Sequence, residues 1–469
     1  MTVAAIPQER ASAVSLDGRR FEFVAPVDAT VDPGRFVTLH PDAGGTQLGQ
    51  VDATALSGGS VVGDGRILGV ISADGQTFDR GVSRAFARAS VIDADAATVG
   101  LLFSTANAAL PVGAFLDSPA VSARLLANRF NRHTFWCGQS GSGKTYALGV
   151  VLEQLLLRTR LPMVIFDPNA DFVNLREPNP RNADADAAAE LADRDIRVLR
   201  PSSADAQPLR ARFVDLPPRA KGAVLQLHPL DNRDEYNELV HMEAMLGTLV
   251  PDAIVPLLLE RNTVASRSLA ARMENLRILE WDVWAVGAEA VTDVVEQRPD
   301  ATVLDLGGFA FPEESLVVAL AVLDDLWAKR ELRRPVLLVI DEAHNLCSPD
   351  ETSPLHVAVR ERIIQIAAEG RKFGLWLLLS TQRPSRVHPS IVSQCDNLAL
   401  MKMTSPVDLA ELATIFGFVP PAMLERAPRF RQGEALFAGG FVPVPTMAKM
   451  GGRLTREGGG DVTVPIRTA

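Results

Sequence analysis

The run Gly138-Gln139-Ser140-Gly141-Ser142-Gly143-Lys144-Thr145 has the residue types needed to grip a chain of phosphates. Glycines let the backbone curl so that successive N–H groups aim at phosphate oxygens, and the dipole of a following helix adds to the attraction. Lys144 is then expected to reach the β and γ phosphates and the Thr145 hydroxyl to ligate Mg²⁺, so the implied cofactors are ATP and Mg²⁺. An apolar strand at 133–137 precedes the loop and a helical run at 146–157 follows it. An ordinary glycine-rich turn would require neither flank.

A second group lies far downstream, where the apolar strand 336–340 ends in Asp341-Glu342-Ala343-His344. A buried strand in this arrangement delivers Asp341 to Mg²⁺ and Glu342 to the water that attacks the γ phosphate. The bland reading, a surface acid pair capping the next helix, loses ground because the phosphate loop is also present. The adjacent glutamate separates a hydrolase from a typical small-molecule kinase. A third apolar strand runs into Ser380-Thr381-Gln382-Arg383, and in a parallel sheet that end faces the same crevice, so Gln382 is a candidate sensor of the γ phosphate or attacking water. The helical run 357–369 ends in Gly370-Arg371-Lys372-Phe373. Arg371 there either favours the helix C-terminus or projects into a neighbour's ATP site as an arginine finger. Asp167 and Asp171 follow another core strand and are candidate supporting residues, although Asp167-Pro168 is equally a turn signal.

Positioning these residues takes several domains, because 469 residues exceed the roughly 100–200 typical of one core. With 47% hydrophobic and 22% charged residues the chain has the balance of a globular protein. No apolar run approaches the roughly 18 residues of a membrane span; the best, 316–327, is broken by Asp324 and Asp325. The N-terminus lacks a signal-peptide core, so a cytoplasmic protein without a membrane partner is expected. Cys137, Cys347 and Cys395 are too dispersed for a metal site or disulfide framework. A formal charge of −10 argues against a basic face over the whole monomer, but a few cations lining a narrow channel would suffice for phosphate contacts.

The segment 1–118 is rich in Val, Gly, Asp and Thr, with short alternating runs and turns at Asp17-Gly18 and Asp74-Gly75, which reads as an N-terminal β-barrel or sandwich. From 119 to 180 and again from 300 to 450, short apolar strands alternate with helices, the pattern of an α/β core with a largely parallel sheet. Strands are expected at 133–137, 163–166, 196–199, 302–306, 336–340, 375–380 and 398–401. The stretch 181–299 reads as a mainly helical insertion in which Trp281 and Trp284 are packing residues, and 451–469 as a flexible C-terminal arm.

In this order the motifs resemble the HerA branch of the HerA and FtsK translocases. The likeness is carried by Arg132-His133, Asp167-Pro168, Ile340-Asp341-Glu342-Ala343-His344-Asn345, Glu369-Gly370-Arg371-Lys372-Phe373-Gly374 and Ser380-Thr381-Gln382-Arg383-Pro384-Ser385 followed by Ser393-Gln394-Cys395. The resemblance implies a RecA-like P-loop NTPase core, a homohexameric ring with double-stranded DNA in its channel, and hydrolysis at subunit interfaces. It favours Arg371 as the trans-acting finger. It also implies a separate nuclease or other effector, in DNA-end processing or defence against phage. One departure stands out: where the family commonly reads Asp-Pro-His-Gly-Glu-Tyr, this chain has Asp167-Pro168-Asn169-Ala170-Asp171-Phe172, so Asp171 keeps a carboxylate on a shorter stem. The competing expectation is a nucleotide-dependent ring scaffold that organises an effector with little translocation. A conjugative or chromosome-partition pump is weaker, because such pumps generally need a membrane anchor.

Overall fold

The computed structural model describes residues 11–29, 31–181, 184–201, 207–246, 251–285 and 287–459. The chain forms two compact units, one made of Met1–Arg129, Gly138–Gln154 and Asn397–Gly452, the other of Phe130–Cys137, Leu155–Asp396 and Arg453–Ala469.

In the first unit, strands β1 (Ser12–Ser15), β2 (Arg20–Pro26), β3 (Phe36–Pro41), β4 (Gln47–Ser57), β5 (Ser60–Ile71), β6 (Phe78–Asp79) and β7 (Phe86–Asp93) make one antiparallel sheet. Its order is β2-β1-β7-β3-β4-β5-β6, and β2 also pairs with β5, so six strands close into the expected barrel. Alternation in β2 turns Phe21, Phe23 and Ala25 inward and Arg20, Glu22 and Val24 outward. These rings fill so much of the interior that a Cβ at Gly63 would sit 2.7 Å from the Phe23 ring. The turn at Asp17-Gly18 forms as expected: the Asp17 carboxylate accepts from the Arg19 and Arg20 N–H groups, and Gly18 takes φ +73°. Strands β8 (Leu110–Phe115) and β9 (Ser122–Leu125) follow as a hairpin.

The second unit holds β10 (Thr134–Cys137), β11 (Met163–Asp167), β12 (Ile196–Arg200), β13 (Gln207–Pro208), β14 (Ala301–Asp305), β15 (Val336–Ile340) and β16 (Leu375–Thr381). They pair in the order β13-β12-β14-β11-β15-β16-β10, and the ladders are parallel. Every residue of β11, β14 and β15 is buried, which is why these strands read as unbroken apolar runs rather than alternating ones. Helices Pro312–Ala328 and Pro354–Glu369 pack on each other and are tied by Arg362 Nε to Asp324 Oδ1 at 2.6 Å. The stretch expected as a mainly helical insertion carries helices from Ala185–Ala192 to Val291–Glu296; the strand expected at 196–199 forms within it as β12, and β13 adds a short strand that was not expected. Trp281 and Trp284 are buried packing residues, stacked at 6.0 Å, and the Trp284 indole donates to the Ile278 carbonyl.

Strands β17 (Asn397–Met401), β18 (Glu434–Gly439) and β19 (Thr446–Met450) return to the first unit and join the hairpin in the antiparallel order β17-β18-β19-β8-β9. Among the described residues no helix is long and apolar enough to cross a membrane. All three cysteines are buried, and they form no disulfide with one another. The expected flexible arm instead runs as an ordered extended segment through Gly459; residues 460–469 lie outside the described residues.

Candidate nucleotide and cation site

Parallel pairing sets several strand ends at one level. Cys137 of β10 lies opposite Thr381 of β16, and Ile340 of β15 lies opposite Leu379. β10, the strand before Gly138, therefore ends at the same edge of the sheet at which Asp341, Glu342 and Gln382 emerge. Open parallel sheets bind ligands at this carboxyl edge.

The loop is shaped by its glycines. Gly141 and Gly143 take φ +75° and +83°, a conformation costly for any other residue. A Cβ on Gly138 would press on Met401 at 2.7 Å. Within the same unit Gln139 is pinned on both sides: its N–H donates to the Lys402 carbonyl, and its side-chain oxygen accepts from Thr404 N and Oγ1. The Ser142 carbonyl accepts from Gly433 N at 2.8 Å. Lys144 is buried at the first turn of helix Lys144–Arg158, and Thr145 follows it, half-buried.

At the end of β15, the Asp341 Oδ1 oxygen accepts from Ser380 Oγ at 2.6 Å. Glu342 is buried and held at φ +43°, a left-handed backbone that a non-glycine residue adopts at a cost of about 1–3 kcal/mol. That turn aims its carboxylate back toward β16. There Glu342 Oε1 accepts from Gln382 Nε2 at 2.7 Å, and Oε2 lies 3.3 Å from His344 Nδ1, which is itself 3.1 Å from Thr381 Oγ1. Sequence reasoning found Glu342 and Gln382 but missed Ser380 and His344. The signal for Ser380 was a hydroxyl at the last buried position before the polar turn; for His344 it was an imidazole two residues past the glutamate.

Asp167 ends β11 beside Asp341, whose N–H donates to the Phe166 carbonyl. Both of its oxygens serve its own loop, accepting from Asp171 N at 3.0 Å and Phe172 N at 2.8 Å. Burial pushes its carboxyl up to about 6 against the opposing pull of those N–H groups. The turn reading of Asp167-Pro168 thus holds, and the turn carries Asp171 inward: oxygens of Asp167, Asp171 and Asp341 lie within 4.8 Å of one another. A set of hard carboxylate oxygens suits Mg²⁺ in chemistry.

Arg371 is not brought to this group. It sits in the single turn Gly370–Phe373 before β16 begins, whereas Gln382 follows its end, about 20 Å away at the rise of an extended strand. At that far edge Arg371 Nη1 donates to Asp396 Oδ2 at 2.6 Å, and Arg132 Nε lies 3.9 Å from the same carboxylate. His133 is buried beneath them, accepting at Nδ1 from Leu377 N; burial and then the Arg371 charge lower it to about 4.

The parallel sheet, the glycine loop entering a helix and the acid pair at a neighbouring strand end define a P-loop NTPase with a RecA-like core. The family model described as Helicase HerA, central domain, matches residues 110–246. A probable helicase of Methanocaldococcus jannaschii is 23% identical over 76% of this chain and 70% of its own length. The DNA double-strand break repair helicase HerA of Pyrococcus furiosus is 22% identical over 73% of this chain and 70% of its own. The HerA of Sulfurisphaera tokodaii reaches 37% identity, but over 25% of this chain and 23% of that protein. Among solved structures, the bacterial conjugative coupling protein TrwB overlaps 76% of this chain and 92% of its own at 14% identity, with a TM-score of 0.49. The chain is thus similar to the HerA-like ATPases, through its central part in the family model and through about three quarters of its length in two relatives.

Proposed function

We propose that this chain is the subunit of a homohexameric ring that hydrolyses ATP to move double-stranded DNA, coupled to a separate nuclease or other effector. The observation that carries the hydrolytic part is the 2.7 Å bond from Gln382 to Glu342 at the carboxyl edge of the sheet. An amide that reads the γ phosphate and also holds the general base makes the base responsive to the nucleotide. The DNA part is supported by relatives named as helicases, two of them for double-strand break repair.

In this reading Gly138, Gln139, Ser140, Gly141, Ser142 and Gly143 offer backbone N–H groups to the phosphates, and Lys144 neutralises the β and γ charges. Thr145 and Asp341 would hold Mg²⁺, with Asp167 and Asp171 as supporting carboxylates, and the ion would supply positive charge toward the phosphates. Glu342 takes the proton of the attacking water, and Gln382 holds Glu342 away from or toward it. Arg371 serves a neighbouring subunit, since it lies at the opposite edge from its own chain's acids. In the assembled ring it leaves Asp396 for the neighbour's γ phosphate. We also propose the division into a barrel over 1–118, a core over 119–180 and 300–450, an insertion over 181–299 and an arm over 451–469, acting in the cytoplasm on DNA ends or invading phage DNA.

The test is ATP hydrolysis by size-fractionated protein with and without linear double-stranded DNA, read beside its mass in solution. A hexamer-sized particle stimulated by DNA is expected. The formal charge of −10 supports the competing scaffold reading. An assembled ring that hydrolyses ATP but never binds or moves DNA would establish it, as would a Lys144→Ala ring that still fully activates the effector.

A further inference from the structure

The end of the described chain is not spent in solvent. Residues 453–459 lie along 169–179 of the same unit as a strap. Asn179 N donates to Leu454 O at 2.8 Å, Arg456 N to Glu177 O at 2.8 Å and Gly458 N to Asp171 O at 3.1 Å, with an antiparallel bridge between Pro178 and Thr455. Arg453 is 1% exposed, lies 6.0 Å from the Phe172 ring centre and donates to Thr455 Oγ1. Burying a guanidinium is costly unless hydrogen bonds and charge partners offset the lost hydration, so Arg453 is held in place by what surrounds it.

What the strap touches is the loop that carries Asp171. A tether alone would be satisfied by the pairing at 454–456. The chain goes further, and it does so with two glycines. A Cβ on Gly458 would collide with the Ala170 carbonyl oxygen. At Gly459, with φ +58°, a Cβ would lie 2.5 Å from Asp171 Oδ1 and 2.9 Å from the Asn169 carbonyl oxygen. The glycine pair thus lets backbone close on the loop up to the carboxylate that clusters with Asp167 and Asp341.

We propose that the strap 453–459 is a positioning element for Asp171, and that through Asp171 it sets the affinity of the site for its divalent cation. The proposal rests on the reading of Asp341 as a cation ligand. Partners behind a metal ligand typically change affinity by about 10–100-fold when removed, because they fix the ligand's orientation. On a shorter stem than the family's glutamate, Asp171 depends on where its backbone is held, and Gly458 N holds its carbonyl.

The test is Mn²⁺ binding by the full chain in the presence of a non-hydrolysable ATP analogue, followed by the electron paramagnetic resonance of free Mn²⁺. Gly459→Ala and Asp171→Asn should each weaken Mn²⁺ by about tenfold. The double variant should be no weaker than Asp171→Asn alone, because both act through one carboxylate. Analogue affinity without a divalent ion should stay at the parent value. A Gly459→Ala chain that binds Mn²⁺ normally while Asp341→Asn has lost it overturns the strap alone. So does additivity in the double variant, or a loss of Mn²⁺ matched by an equal loss of analogue binding without a divalent ion. An Asp341→Asn chain that still binds Mn²⁺ overturns the underlying site assignment and the strap with it.

Discussion

The two ends of β16 carry opposite chemistry. At its carboxyl end Gln382 grips Glu342 and Ser380 grips Asp341, all within one chain. At its amino end Arg371 is parked on Asp396, with Arg132 close by and His133 buried below, and no carboxylate of the candidate site shares that edge. One end is furnished in cis; the other holds a cation about 20 Å from any use in its own subunit. In the proposed ring a single strand would link two sites, reading one nucleotide through Gln382 while offering Arg371 to another. Ring assembly would then be a requirement of the chemistry, beyond any role in enclosing DNA.

Breaking the carboxyl end should have the largest effect. Glu342→Gln is expected to lower phosphate release by about 10⁴-fold, toward the upper range for a positioned general base, while retaining ATP on filter binding. Breaking the amino end comes next: Arg371→Ala should lose about 10³-fold in hydrolysis with nucleotide binding unchanged. Mixed rings sharpen the contrast, because Arg371→Ala and Lys144→Ala subunits should regain activity at junctions that pair an intact loop with an intact arginine. If Arg371→Ala rings hydrolyse ATP normally, the trans assignment is wrong. Removing the link between amide and base, Gln382→Ala should cost about 10²-fold, chiefly in kcat, since the donor is used most in the transition state.

The smallest effect probes the buried end of the comparison. The unfolded His133 imidazole takes a proton below about 6.5, the folded one only below about 4. The unfolded chain thus binds more protons in that window, and stability should fall by up to about 3 kcal/mol as pH drops through it, with no such contribution above it. Thermal midpoints measured between pH 7 and 4 should show a shallower acid decline in His133→Asn than in the parent.

Contacts with short reach were legible in the residues. The glycine loop, the strand before it and the Asp341-Glu342 step are local: they need φ above zero at Gly141 and Gly143 and an apolar run that ends in acids. Runs of seven or fewer residues sufficed to find the parallel strands. The strand expected at 196–199 forms as β12 despite its two arginines, whereas β13, only Gln207–Pro208, offers no apolar run to read.

Residue types and spacing by themselves thus determined the glycine loop, the acid pair, the candidate sensor amide, and the presence of an α/β core and a barrel, since each depends on backbone geometry within a few residues. Only the tertiary structure decided that Asp167 bonds its own loop, that Arg371 stands a strand's length from Gln382, and that Gly458 meets Asp171. Those outcomes depend on the register of parallel strands and on a tail that pairs with residues far earlier in the sequence, at 171–179. Register and return are set by which buried faces fit together, a property that no short stretch of sequence contains.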